Sequence, residues 1–200
     1  VNSNEVPALG GASDPAVSRF GNHVAFISAA TNLTVLDTND TWHVYVRDID
    51  ASCTVPISVS GNSMGNSSSS QPSISADGRF VAFQSYSSNL ADLNGGVIGQ
   101  VFVMDRDADR DGSFYADELN CVPGPSKITL VSASLSGEGG NDTSGSPEIS
   151  ANGDYVVFDS FASNLLPSEV NDREEFQSEI YLRYLGHEIE LTFSEPDPEP

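Results

Sequence analysis

One order of short segments occurs three times in this chain. Pro15-Ala-Val-Ser-Arg-Phe-Gly21 leads to Val24-Ala-Phe-Ile-Ser28 and then to Thr31-Asn-Leu33. Pro72-Ser-Ile-Ser-Ala-Asp-Gly78 leads to Val81-Ala-Phe-Gln-Ser85 and Ser88-Asn-Leu90. Pro147-Glu-Ile-Ser-Ala-Asn-Gly153 leads to Val156-Val-Phe-Asp-Ser160 and Ser163-Asn-Leu165. A second apolar segment follows each time, at Val44–Arg47, Val101–Met104 and Ile180–Arg183, and then a third, at Val55–Ser60, Ile128–Ser134 and Ile189–Phe193. A repeat constrains folding more than composition does. Each unit is one supersecondary element, too small to bury its own apolar face, so successive units must stack.

The units read as β-sheets. Asp77-Gly78 and Asn152-Gly153 are hairpin-turn dipeptides, in which glycine accepts the positive φ of a tight turn. The stretches before and after each turn are therefore antiparallel neighbours. Val-Ala-Phe-x-Ser and Val-Tyr-Val-Arg alternate as half-buried strands do, and no stretch has helical periodicity. The fold class is all-β, with four short strands per repeat. These residues resemble the TolB-like, WD40-like (PD40) β-propeller repeat, whose Pro-x-x-Ser-x-Asp-Gly strand and turn feeds an apolar strand. The second copy matches best. The first has Phe20 where the turn aspartate is expected, and the third has Asn152 and a longer loop from Leu166 to Ser178.

The resemblance implies about three propeller blades. Residues 1–14 are the end of a preceding blade or a lead-in strand, 15–71 blade 1, 72–146 blade 2, 147–193 blade 3 and 194–200 an acidic, proline-rich tail. Closed propellers typically have four to eight blades. Three blades are therefore part of a larger propeller, or are completed by assembly through open blade edges.

The second repeat is longer than the first, and the excess is an insertion over residues 105–127. It contains Asp107-Ala-Asp109-Arg-Asp111-Gly112-Ser113-Phe-Tyr115-Ala-Asp-Glu118, which satisfies D-x-[DN]-x-[DN]-G-x5-E, the pattern of an EF-hand-like calcium loop. Carboxylates at alternate positions converge on one hard cation, and the glycine makes the sharp turn. The seventh residue offers its carbonyl, and the last glutamate binds through both oxygens. The predicted ligands of Ca2+ are Asp107, Asp109, Asp111, Ser113 and Glu118. Tyr115 takes the ninth position, often served by water. Magnesium fits less well, because it keeps more of its waters. A strand precedes the loop and no exiting helix follows, so a helix-opening sensor is not expected. Asp37-Thr-Asn39-Asp40 and Asp92-Leu-Asn94-Gly95 are weaker acidic turns.

Charge narrows the partners. Twenty-nine Asp and Glu against 8 Lys and Arg give a net charge of −21, which repels phosphate backbones. No nucleic-acid partner is expected. No apolar run approaches the roughly 18 residues a membrane-spanning helix needs, so no membrane insertion is expected either. Val1 opens no basic-then-apolar leader. Cys53 and Cys121 can bridge in an oxidising compartment, but their spacing does not decide it. The sequons at Asn32, Asn39, Asn66 and Asn141 matter only in a secreted eukaryotic chain.

No catalytic constellation stands out. Gly61-Asn-Ser63-Met-Gly65 matches a nucleophile elbow, but a loop-forming serine run follows it instead of a helix. His23, His43 and His187 share no ligand spacing and read as surface or strand residues, and Trp42 as a residue near an inter-strand loop. The expected protein is a non-catalytic, calcium-binding propeller module, outside the cytoplasm (extracellular, cell-surface or periplasmic), that binds other proteins or itself. The alternatives are the propeller portion of a secreted hydrolase or polysaccharide lyase, and a self-assembling filament subunit.

Overall fold

In the computed structural model, residues 1–36, 38–91, 98–167 and 177–186 are described; they form fifteen strands and contain no helix. Blade 1 comprises β1 (Ala12–Val17), β2 (His23–Ser28), β3 (His43–Asp48) and β4 (Cys53–Pro56), antiparallel and in that order across the sheet. The short hairpin of β5 (Val59–Ser60) and β6 (Ser63–Met64) follows. Blade 2 comprises β7 (Ser69–Ile74), β8 (Phe80–Ser85), β9 (Gln100–Asp105) and, after the insertion, β12 (Lys127–Leu130). The insertion carries its own hairpin of β10 (Tyr115–Asp117) and β11 (Val122–Pro123). Blade 3 shows β13 (Ser144–Ile149), β14 (Tyr155–Ser160) and β15 (Glu179–Tyr184). Its expected fourth strand, Ile189–Phe193, and the acidic tail lie outside the described residues.

The repeated residues do the same work in each blade. In the turns, Gly21, Gly78 and Gly153 have φ of 78°, 81° and 79°. Ser75 Oγ donates to Asp77 Oδ1 (2.6 Å) and accepts from Phe80 N (2.9 Å). Ser150 does the same with Asn152 and Tyr155. In blade 1, Asn22 takes the place of the missing aspartate by accepting from Ser18 Oγ at 3.0 Å.

The Asn-Leu element is a clasp. Asn89 Oδ1 accepts from Asn66 N (2.9 Å), while its Nδ2 donates to Met64 O (2.9 Å). Asn164 holds Asn141 and Gly139 in the same way, and Asn32 holds Leu9 and Pro7. The opening residues thus occupy the slot that links blades farther along.

One regularity was not expected. The inner strands begin three residues before each proline, at Ala12, Ser69 and Ser144. Just before the prolines, Asp14, Gln71 and Ser146 have φ of 49°, 55° and 49°, and the register shifts there in all three blades. Proline has no N–H for the ladder, so each strand bulges at that point and pairing resumes beyond it.

Alternation sends opposite faces of each sheet to different neighbours. Ala25, Ile27, Val44 and Val46 of blade 1 pack with Val81, Phe83, Phe102 and Met104 of blade 2 in one buried cluster. Phe80, Ala82, Val101 and Val103 on the other face of blade 2 pack with Val156, Phe158 and Tyr181 of blade 3. Backbone bonds join the turns as well, from Arg19 N to Ala76 O (3.1 Å) and from Ala76 N to Ala151 O (2.8 Å). The three blades form one stack that does not close into a ring.

Candidate metal centre

The insertion leaves β9 beside a clamp. Register places Asp105 opposite Phe80, so Arg79 meets it: Nε donates to Asp105 Oδ1 (2.7 Å) and a terminal nitrogen to Oδ2 (2.9 Å). This bidentate pair raises the guanidinium pKa further. Asp105 Oδ1 also accepts from Asp107 N (3.0 Å), which turns the chain toward the loop.

Within the loop, Arg110 N donates to Asp107 O (3.2 Å), and Gly112 takes a φ of 83°. Asp111 Oδ1 accepts from Ser113 N at 2.7 Å. Ala108 N donates to Pro125 O (3.0 Å) and closes the base. The result brings Asp107, Asp109 and Asp111 together, with one oxygen of each within 4.8 Å of the others. Calcium–oxygen bonds of roughly 2.3–2.6 Å place ligands on opposite sides of the ion about that far apart.

Asp107 differs from its neighbours. It is 5% exposed, whereas Asp109 and Asp111 are exposed. Its Oδ1 is buried without a hydrogen-bond partner. Its Oδ2 is 3.8 Å from Arg79, too long for a hydrogen bond, because that guanidinium is engaged by Asp105. A buried polar atom left unsatisfied costs about 1–3 kcal/mol, and more when charged. A cation bonded to Oδ1 removes that cost.

Glu118 is not in the cluster. It follows β10 and is exposed. In a helical loop the exiting helix swings the twelfth residue back to the metal. Here β10 pairs with β11, and Cys121 is bonded to Cys53 with their Cα atoms 5.4 Å apart. The Glu118 carbonyl oxygen lies 3.4 Å from Cys53 Sγ, so this turn is drawn toward blade 1.

Tyr115, the ninth loop residue, turns away from the carboxylates into a buried polar group between the blades. Its hydroxyl donates to Asp48 Oδ2 (3.3 Å) and lies 3.4 Å from an Arg106 nitrogen; burial pushes its pKa up to about 12. Asp48 Oδ2 also meets His23 Nε2 at 3.2 Å. Burial, and then the Arg106 charge, hold the His23 pKa below its ordinary value. Phe114 stands edge-on to His23, with centroids 5.3 Å apart, and the Arg106 guanidinium lies 4.3 Å from the Phe114 centroid. These contacts seat the insertion on blade 1.

Sequence reasoning missed Arg79, Asp105 and the pairing of His23 with Asp48. Opposite charges at Arg79, just after a turn, and Asp105, at the end of the partner strand, were the available sign. His23 and His43 take the strand alternative of the expectation, as the buried first residues of β2 and β3; His187 lies outside the described residues. Gly61–Gly65 spans the turn of the β5–β6 hairpin. Asp37 and residues 92–95, the core of the weaker acidic turns, also lie outside the described residues.

No protein-family model matches the sequence, and no curated protein matches it. Among solved structures, the chain is similar to TolB from Acinetobacter baumannii over 89% of its own length and 31% of that chain, at 17% identity and a TM-score of 0.45. The tricorn protease is similar over 88% of this chain and 14% of that one, at 18% identity and 0.49. The β-propeller domain of the Trilobed protease from Pyrococcus furiosus is similar over 86% and 43%, at 14% identity and 0.37. The chain spans less than half the length of each. The blade architecture rests on the sheets described above, and these likenesses add no argument about activity.

Proposed function

We propose that the chain is a calcium-binding β-propeller module, non-catalytic, that serves as a binding scaffold outside the cytoplasm. The observation that carries the metal reading is the buried, unpartnered Oδ1 of Asp107 beside Asp109 and Asp111. Those three carboxylates and the Ser113 carbonyl are the proposed ligands, with Glu118 as the further candidate. The ion would neutralise the cluster and stiffen the insertion. The disulfide supports an oxidising compartment such as the extracellular space or the periplasm.

The test is a thermal melt in EGTA, then with added calcium or magnesium. Calcium at a hundredfold over its Kd adds about 2.7 kcal/mol. The expected result is a rise in Tm larger for calcium than for magnesium, lost in Asp109→Ala and reduced in Glu118→Ala. An unchanged Tm, or an equal rise in Asp109→Ala, rules the site out.

A second reading, a self-assembling subunit, is favoured by an apolar face of blade 3 that is exposed among the described residues. Ile180, Leu182 and Tyr184 are 73%, 67% and 60% exposed. By register, Ile180 and Leu182 correspond to Val44 and Val46 in blade 1 and to Val101 and Val103 in blade 2, all buried under the next blade. Light scattering during gel filtration decides this reading. A dimer or larger species that Leu182→Glu converts to monomer supports it, and a monomeric wild type refutes it.

A further inference from the structure

A cleft of 710 Å³ runs between β4 of blade 1 and the insertion of blade 2, within the range of roughly 300–1,000 Å³ usual for small-ligand sites. Val55, Ile57 and Met104, all buried core residues, line it, and asparagine and serine side chains such as Asn62, Asn120 and Ser126 make its polar part. The chain carries 29 acidic residues, yet none of the described ones lines this cleft. Its one charged lining residue is Arg106.

Arg106 is 4% exposed. Its guanidinium lies against Phe114, donates to Gly78 O at 2.7 Å and reaches the Tyr115 hydroxyl at 3.4 Å, all neutral partners. Among the described residues, no carboxylate is within 4 Å of it. The nearest opposite charges act at longer range, Asp48 through the Tyr115 hydroxyl that both share and Asp77 from farther off. The guanidinium therefore has no direct ion pair, and an incoming carboxylate would supply one with charge-assisted hydrogen bonds. The surrounding charge of −21 selects against phosphates and polyanions, which it repels in proportion to their charge. The apolar floor selects against small hydrophilic acids.

We propose that this cleft binds an apolar molecule carrying a single carboxylate, with its apolar body over Val55, Ile57 and Met104 and its carboxylate at Arg106. None of the three aspartates lines the cleft, so its ligand is distinct from the calcium ion. Disulfide and insertion together hold one wall in place, since Cys121, Val122 and Pro123 line the cleft beside Phe114.

The experiment is calorimetry on the full chain with its disulfide intact and calcium present. The probes are dodecanoate and an N-acetylated apolar tripeptide with a free C-terminus, each against its neutral counterpart, the methyl ester and the C-terminal amide. The expected result is that one acid binds with 1:1 stoichiometry and its neutral counterpart at least tenfold more weakly. Dodecanoate alone would assign an acyl chain, and the tripeptide alone a peptide C-terminus. Ser126→Trp, at an exposed position of the lining, blocks the cleft without touching the core and abolishes binding. Arg106→Gln, if it folds, loses the preference for the acid. The proposal is overturned if neither acid binds, if acid and neutral counterpart bind alike, or if binding survives Ser126→Trp.

Discussion

Cys53, at the start of the outer strand of blade 1, is bonded to Cys121, in the turn of the blade 2 insertion, across a sequence separation of 68. The bond fixes a hairpin that otherwise meets blade 1 through the Tyr115 hydroxyl on Asp48 and the Phe114 ring on His23. Closing a loop of that length removes entropy from the unfolded chain. Cys53→Ser with Cys121→Ser is therefore expected to lose about 2–4 kcal/mol in urea unfolding. A loss below about 0.5 kcal/mol, within the range of ordinary surface changes, would mean that the insertion is seated without the bond.

The Asn89 clasp supports a second expectation. Its amide accepts from Asn66 N and donates to Met64 O, so Asn89→Ala strands two backbone groups at once. At about 0.5–1.5 kcal/mol per hydrogen bond, the loss is about 1–3 kcal/mol. Asn89→Asp keeps the acceptor but loses the donor and adds charge to an acidic chain, so it also destabilises. Chemical denaturation of the two variants reads this directly, and an Asn89→Ala as stable as wild type contradicts the role.

These clasps show where reading the sequence succeeds and where it stops. Asn32, Asn89 and Asn164 were visible as a recurring Asn-Leu. Their partners were not, because each is a backbone group more than twenty positions earlier, in a link whose residues recur only in part: Leu9 and Pro7, Asn66 and Met64, Asn141 and Gly139. The turns at Gly78 and Gly153 were legible because the backbone there needs a residue without a side chain. Alternation made Asp107, Asp109 and Asp111 legible in the same way. That Asp107 keeps an unpartnered oxygen was not legible, since it depends on Arg79 being drawn to Asp105 by strand register. The spacing of Cys53 and Cys121 held no information on their bond, because blade packing, not chain distance, brings them together.

Two glycines with nearly equal φ should respond differently to alanine. At Gly153 a Cβ would lie 2.2 Å from the Phe80 ring, in the core between blades 2 and 3, and φ is 79°. At Gly112 φ is 83°, but nothing lies within 4 Å. Gly112→Ala carries only the left-handed strain, about 1–2 kcal/mol. Gly153→Ala adds an overpacking cost of about 1–3 kcal/mol to it. Thermal melts in EGTA, which remove any metal contribution, should place Gly153→Ala clearly below Gly112→Ala. Equal melting temperatures would mean that the Phe80 ring moves aside freely.

His23 gives the fold a pH dependence. Burial and the Arg106 charge lower its pKa below the ordinary 6.5, against the opposing pull of Asp48 and Asp50. His43, enclosed between Ser58 Oγ and Thr38 O, is shifted down by burial as well. A base whose folded pKa is depressed binds fewer protons folded than unfolded, so stability rises with pH through that window. The contribution is complete above 6.5 and is lost progressively as pH falls from there toward the folded values. Carboxylates are mostly still ionised at pH 5.5, so a melt from pH 7.5 to 5.5 at saturating calcium isolates the histidines. Tm should fall over that interval, and the fall should shrink in His23→Gln, which keeps a donor toward Asp48. A Tm that is flat over the interval, or a fall unchanged by His23→Gln, would place the proton uptake elsewhere.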